Sequence, residues 1–317
     1  MSRPFARLIA GALAAALATA AAIGAAGAAA GTIRIGYQKY GTLVLLKGKG
    51  LLEEKLAPLG VSVTWTEFPA GPQLLEALNV GAVDFGSTGE APPIFAQAAG
   101  APLVYVAHEP PAPRGAALLV PKDSPLRTVA DLKGKTVALN KGSNVHYLLV
   151  KALEKAGVPY AEITPKFLPP ADARAAFERG AVDAWAIWDP FQAAAEVATG
   201  ARTLANGEGI VSNHQFYLGA RPFVDANPAV VDAVIAALAE IDVWTKANPA
   251  AAAKELAPSV GIPAPVLEIA LERQSYGVKP LDGDVVAEQQ SIADTFHALG
   301  LLPKPIVIAD AVRRTGS

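Results

Sequence analysis

The sequence predicts an α/β protein built as two lobes, on three observations. Strand and helix signals alternate along the first two thirds of the chain with short loops between them, the pattern of a largely parallel sheet covered by helices. The same local arrangement, a strand running into glycine and hydroxyl residues that open a helix, occurs once in each half. Finally, 317 residues with 52% hydrophobic content exceed what one core usually holds.

Residues 1–30 stand apart. Arg3 and Arg7 precede an apolar, alanine-rich run from Leu8 to Ile23, and Ala28-Ala29-Ala30 supplies small residues. This is the layout of a secretory signal peptide cut near Ala30. A membrane anchor is the competing reading, but 16 mostly alanine residues are short against a span of about 20. Without that segment 287 residues remain, and the net charge moves from −2 to −4 because two arginines leave with it. Such a chain does not bind nucleic acid by bulk charge, so an anionic ligand needs local donors. The absence of cysteine excludes disulfides, cysteine–metal sites, thiol catalysis and a lipid anchor on an N-terminal cysteine.

In chain order, Thr32–Tyr37 reads as a strand, ending at Gln38. A helix over Leu43–Leu56 follows, then a period-two strand over Val61–Phe68. Pro69-Ala70-Gly71-Pro72 turns the chain into a helix from Gln73 to Asn79. A short strand, Val83–Phe85, leads to Ser87-Thr88-Gly89-Glu90, and a helix opens at Ala91-Pro92. Proline suits a first helical turn, so Gly89 and Glu90 lie where unpaired N–H groups and the positive dipole end are presented. An ordinary N-cap competes with an anion site there. Leu103–Ala107 is a strand. The proline-dense Glu109–Arg114 reads as a first crossing between lobes.

The second lobe repeats this logic. Strands are expected at Ala116–Val120, Lys135–Asn140, Ile163–Leu168 and Val182–Ile187, with a short one at Arg202–Leu204. Lys141-Gly142-Ser143-Asn144 opens a helix over Val145–Ala156 and places Ser143 as an N-cap or an anion donor. His146 falls in its first turn, facing the cleft or a neighbouring loop. Trp188-Asp189-Pro190 closes the Val182 strand at the same sheet edge. Trp188 reads as pocket wall or core, and Asp189 as N-cap of the next helix. Gln215–Gly219 is strand-like and marks the second crossing. Helices then run over Pro228–Ala247, Pro249–Leu256, Pro263–Leu271 and Asp284–Leu299 and should cover the first lobe; Arg313–Ser317 reads as a loose tail. The expected division is a signal over 1–30, the first lobe over 31–112 and 215–317, and the second over 113–214.

Catalytic signatures are missing. The four histidines have no metal-ligand spacing; no P-loop, no nucleophile elbow and no Ser-Lys signature occurs. Glu90 and Asp189 form the one conceivable acid pair, with no sugar-stacking array to support it. A binding protein without cofactor or metal is the expectation, rather than an enzyme.

The block Glu67–Val106, with Ile35–Lys39, Lys141-Gly142-Ser143 and Ala171–Phe191, resembles the periplasmic aliphatic-sulfonate-binding proteins of ABC importers, over nearly all of the chain after residue 30. The resemblance implies a type II periplasmic binding protein fold with two crossover strands, and a monomer that delivers an organosulfonate to an inner-membrane permease. It implies sulfonate donors at Gln38, Ser87, Thr88, Gly89, Gly142 and Ser143. Trp188 is the implied apolar wall for the organic tail, with Phe216 and Tyr217 as further wall candidates from their place at the second crossing. Glu90 stands where relatives often carry Asp, and Asn144, Val145 and Tyr147 also depart from the usual residues. Glu90 reads either as partner to an ammonium group, which would favour taurine, or as a helix-dipole partner turned away from the ligand. Other small anions, such as nitrate, sulfate or a carboxylate, stay open as ligands.

Overall fold

The computed structural model describes residues 31–313. The signal-peptide expectation, and the tail expectation apart from Arg313, lie outside the described residues. The chain lays down β1 (Thr32–Tyr37), α1 (Thr42–Lys49), α2 (Leu51–Leu56), β2 (Ser62–Glu67), α3 (Gly71–Asn79), β3 (Phe85–Gly89), α4 (Ala91–Ala98) and β4 (Leu103–His108). It then crosses to β5 (Ala116–Val120), β6 (Thr136–Leu139), α5 (Asn144–Lys155), β7 (Thr164–Phe167), α6 (Pro170–Glu178), β8 (Ala184–Trp188), α7 (Phe191–Thr199) and β9 (Arg202–Asn206). The return brings β10 (Gln215–Ala220), α8 (Arg221–Ala226), α9 (Pro228–Ala247), α10 (Pro249–Val260), α11 (Ala264–Glu272) and α12 (Gly283–Ala298).

These strands form two five-stranded sheets, ordered β2-β1-β3-β10-β4 and β7-β6-β8-β5-β9. Each is parallel except for one strand. β10 runs antiparallel to β3 and β4, and β5 antiparallel to β8 and β9. Both exceptions are the first strand laid down after a crossing. The two crossing segments pair with each other: Ala112 N–H bonds the Ser212 carbonyl at 3.0 Å, and Glu109 N–H bonds that of Gln215 at 2.9 Å.

One expected helix, Leu43–Leu56, is two, because Gly50 takes a left-handed conformation (φ 64°) that ends α1. The strand expected at Val83–Phe85 lies later, because pairing with β10 carries the ladder through Ser87 and Thr88 to Gly89.

Each sheet is covered on both faces. The first buries Ile33, Ile35 and Phe85 against α1, α2, α9 and α10. On its other face Leu74, Ile94 and Phe296 belong to a core that continues without a break into the second lobe. Small residues join the lobes again where Ala193 and Ala194 of α7 meet Val266 and Ala270 of α11.

Candidate functional site

Two helix N-termini, one from each lobe, meet across the cleft. A Cβ placed on Gly89, at the end of β3, would lie 2.8 Å from the Cβ of Asn144, the first residue of α5. Neither helix is capped by a side chain. Ser143, at the N-cap of α5, turns its hydroxyl back onto the Asn140 carbonyl at 2.8 Å. Glu90, at the N-cap of α4, sends its carboxyl elsewhere. The ordinary capping explanation for these residues therefore fails, and first-turn N–H groups of both helices lack a side-chain acceptor. Ser87 and Thr88 are buried beside them, opposite Tyr217 and Phe216 of β10. Gln38 donates from Nε2 to the Ser87 carbonyl at 3.0 Å, and the Thr88 hydroxyl donates to that of Gly89 at 2.9 Å.

The second lobe's contribution differs from expectation. Gly142, at φ +73°, donates its N–H to His146 Nδ1 at 3.2 Å. His146 Nε2 meets the Tyr160 hydroxyl at 2.9 Å. Burial pushes the His146 imidazole down to about 4, so it is neutral near pH 7 with both nitrogens engaged. His146 is thus a packed structural residue that takes up the Gly142 N–H, and neither group is free for a ligand in this conformation. Asn144 turns to the crossings. Its Nδ2 donates to Asn213 Oδ1 at 2.7 Å, and Asn213 Nδ2 donates to the Ala112 carbonyl at 2.8 Å. Asn213 holds φ 54°, a conformation asparagine tolerates better than most residues.

Glu90 reaches the second crossing. Its side chain is 1% exposed, and Oε2 accepts the backbone N–H of His214 on the second crossing at 3.1 Å. Its carbonyl accepts from Gln289 Nε2. Burial pushes the carboxyl up to about 8, against the opposing pull of the His214 N–H and imidazole. Its carboxyl is engaged by the second crossing and not by the first turn of α4.

Asp189 does approximate the expected cap: its Oδ1 accepts the Ala193 N–H of α7 at 3.0 Å. It is completely buried, and Arg273, just past α11, reaches both of its oxygens at 3.5 Å. Burial lifts Asp189 to about 6 while Arg273 holds it down. This set accounts for Asp189 without an acid–acid role.

Phe216 and Tyr217 point to opposite faces of the first sheet. Phe216 packs edge-on to Tyr105 at 5.2 Å, whereas Tyr217 stacks on Phe85 and donates its hydroxyl to Glu109. Both are buried in the cores of the first lobe, Phe216 also against His108 and His214. Trp188 is buried at the end of β8, edge-on to Phe191 at 6.3 Å.

Residues 57–252 match the family model described as NMT1/THI5 like. A "Putative aliphatic sulfonates-binding protein" of Escherichia coli is 48% identical over 282 residues, covering 88% of each chain. The chain belongs to this family. Among solved structures, the alkanesulfonate-binding protein SsuA of Xanthomonas axonopodis pv. citri bound to MOPS superposes with a TM-score of 0.87. Identity there is 47%, over 91% of this chain and all of that one. The Escherichia coli periplasmic aliphatic sulphonate binding protein SsuA gives 0.82 at 47% identity, over 90% and 92%.

In this NMT1/THI5-like chain, sequence reasoning missed a cavity of about 380 Å³ between the lobes beside Gly142. Gln73 and Phe95 face it from the first lobe, Asn140, Lys141 and Phe167 from the second. The Lys141 ammonium sits 5.5 Å over the Phe167 ring. Phe167 ends β7, and the rule that ligands gather at carboxyl ends of parallel strands would have flagged it. Nothing in the sequence links it to Phe95. Among the described residues no group of three or more His, Asp or Glu could hold a metal, and no helix is long and apolar enough to cross a membrane.

Proposed function

We propose that this chain is a periplasmic solute-binding protein that closes its lobes on an organosulfonate and hands it to an ABC permease in the inner membrane. The observation that carries this is near-complete coverage at almost half identity to sulfonate-binding proteins, one of them bound to MOPS, itself a sulfonate. The cleft chemistry agrees. A sulfonate is a permanent monoanion with three acceptor oxygens. Ser87 and first-turn N–H groups of α4 and α5 offer hydrogen-bond donors without a buried counter-charge, and the Thr88 and Ser143 hydroxyls, which here donate to the Gly89 and Asn140 carbonyls, would join them by rotating onto a ligand. Phe95 and Phe167 give an organic tail apolar contact in the adjoining cavity. Residues 1–30 would direct export, and the chain would act as a monomer without a cofactor.

A titration followed by tryptophan fluorescence tests the ligand class, using ethanesulfonate, longer alkanesulfonates, an arylsulfonate, taurine and sulfate. The expected result is micromolar binding, about −8 kcal/mol, for an alkanesulfonate and none for sulfate. Because Glu90 is tied to the second crossing, taurine should bind no better than ethanesulfonate. A preference for taurine, nitrate or sulfate would overturn the assignment. In a second test, Ser87→Ala combined with Ser143→Ala should weaken sulfonate binding by roughly a hundredfold or more, the loss of two hydrogen bonds to a charged group. Unchanged affinity in that double variant would remove these hydroxyls from the site.

A further inference from the structure

We infer that Glu90 acts as a neutral hydrogen-bond donor, presenting Oε1–H to an oxygen of the bound anion and so setting which anions the cleft accepts. This rests on the sulfonate reading of the cleft. Its geometric basis is the division of labour within one carboxyl. Oε2 is held by the His214 N–H, whereas Oε1 is buried without a partner. A buried polar oxygen left unpaired is destabilising, so its retention asks for a reason. The residue stands at the N-cap of α4, next to Gly89. Its bond to the His214 N–H sets the carboxyl against the second crossing, and Gly89 beside it meets Asn144 of α5.

Burial and the Glu288 carboxylate favour the protonated form, against the pull of the His214 and Asn213 N–H groups and the His214 imidazole. Around Glu90 stand Asn213 and His214 on the second crossing, Glu288 on α12, Tyr40 after β1 and Tyr147 on α5. Tyr105 on β4 holds Gln289, which in turn holds the Glu90 carbonyl. His214 is the only potential cation in that set, and it pairs with Glu288 at 3.4 Å. An ionised Glu90 would repel the ligand, whereas the acid form adds a donor and no charge. Binding therefore depends on the proton, and the site admits a monoanion without a countercharge.

The test compares the mature wild-type protein with Glu90→Gln, which keeps a donor but cannot titrate. Dissociation constants for butane-1-sulfonate are measured from pH 6 to 9.5. For wild type the constant should be level to about pH 7.5 and then rise about tenfold per pH unit above roughly pH 8. For Glu90→Gln it should stay within about threefold of wild type at pH 7 and remain level. His214 also titrates and is coupled to Glu90, so the reading is the difference between the two profiles and not either slope alone. A flat wild-type profile, or the same slope in Glu90→Gln, overturns the proposal.

Ligand-free thermal melts decide the protonation state separately. A carboxyl raised in the folded state contributes stability at low pH that is lost as pH rises from about 4.5 to about 8. The Tm of wild type should therefore fall relative to Glu90→Gln between pH 5 and 8 and run parallel above. A Tm difference that stays constant overturns the neutral acid. Absence of sulfonate binding at every pH in wild type, with the melts diverging, overturns the sulfonate reading instead.

Discussion

Gly89→Val is expected to cut sulfonate affinity more than about a hundredfold while leaving the ligand-free protein folded. The substitution acts on closure rather than on the backbone. Gly89 is the last residue of β3, and its φ lies outside the left-handed region, so a β-branched residue suits its conformation. What a side chain cannot do is share the space already filled by Asn144. Its Cβ would lie 2.8 Å from the Asn144 Cβ and 3.0 Å from Cγ, before valine's two methyl groups are added. Asn144 cannot retreat freely, because its amide is bonded to Asn213 and through it to the first crossing. Overpacking of this kind costs about 1–3 kcal/mol for a methyl or two, and more where neighbours are fixed. On the proposed mechanism, in which the lobes close on the ligand, the cost falls on the closed state and so subtracts from binding energy. Isothermal titration gives the affinity, and a Tm within about 3 °C of wild type shows the fold intact. Wild-type affinity in Gly89→Val would mean that ligand binds without contact between β3 and α5.

The contrast between that contact and what the sequence displays shows where local reasoning stops. Strand and helix identities follow from hydrophobic period and from glycine and proline placement, and most elements stand within a few residues of expectation. Ser87-Thr88-Gly89 and Lys141-Gly142-Ser143 were legible as helix openings because that is a local property. Their partners were not. Glu90 is held by a backbone N–H that is 124 positions away at His214, and Asp189 by Arg273, 84 positions away. Neither pairing leaves a periodic signal. Phe216 and Tyr217 misled for a related reason. Their position after the second crossing suggested a cleft wall, but residues of the two cores on either side of the first sheet cover both faces of β10. His146 misled because a histidine in a helical first turn looks the same whether its nitrogens face a ligand or, as here, Gly142 and Tyr160.

Arg273→Ala is expected to lower stability by about 3 kcal/mol near pH 8, and by less as the pH falls through 6. Arg273 follows α11 in the C-terminal helical part and reaches into the second lobe. It meets Asp189 at 3.5 Å and Glu196 at 2.6 Å. With Arg273 gone, Asp189 is a completely buried carboxylate held, among the described residues, by the Ala193 N–H. Breaking a buried pair from one side costs about 3–5 kcal/mol because the remaining charge is uncompensated. The longer contact to Asp189 and the partial exposure of Arg273 place this pair at the low end. The sign of the pH dependence follows from the folded-state shift. Asp189 is already raised to about 6 by burial, and loss of Arg273 raises it further. Below pH 6 the carboxyl is increasingly protonated in both proteins and needs no partner. Above it, wild type carries a compensated charge and the variant does not, so the deficit opens as pH rises. Urea unfolding at pH 5.5 and 8 measures the difference, with a larger deficit expected at pH 8. Adding Asp189→Asn should restore part of the loss at pH 8, since it removes the uncompensated charge while keeping an oxygen for the Ala193 N–H. If the double variant is no more stable than Arg273→Ala at pH 8, the ion pair with Glu196, and not the buried aspartate, is what Arg273 supports.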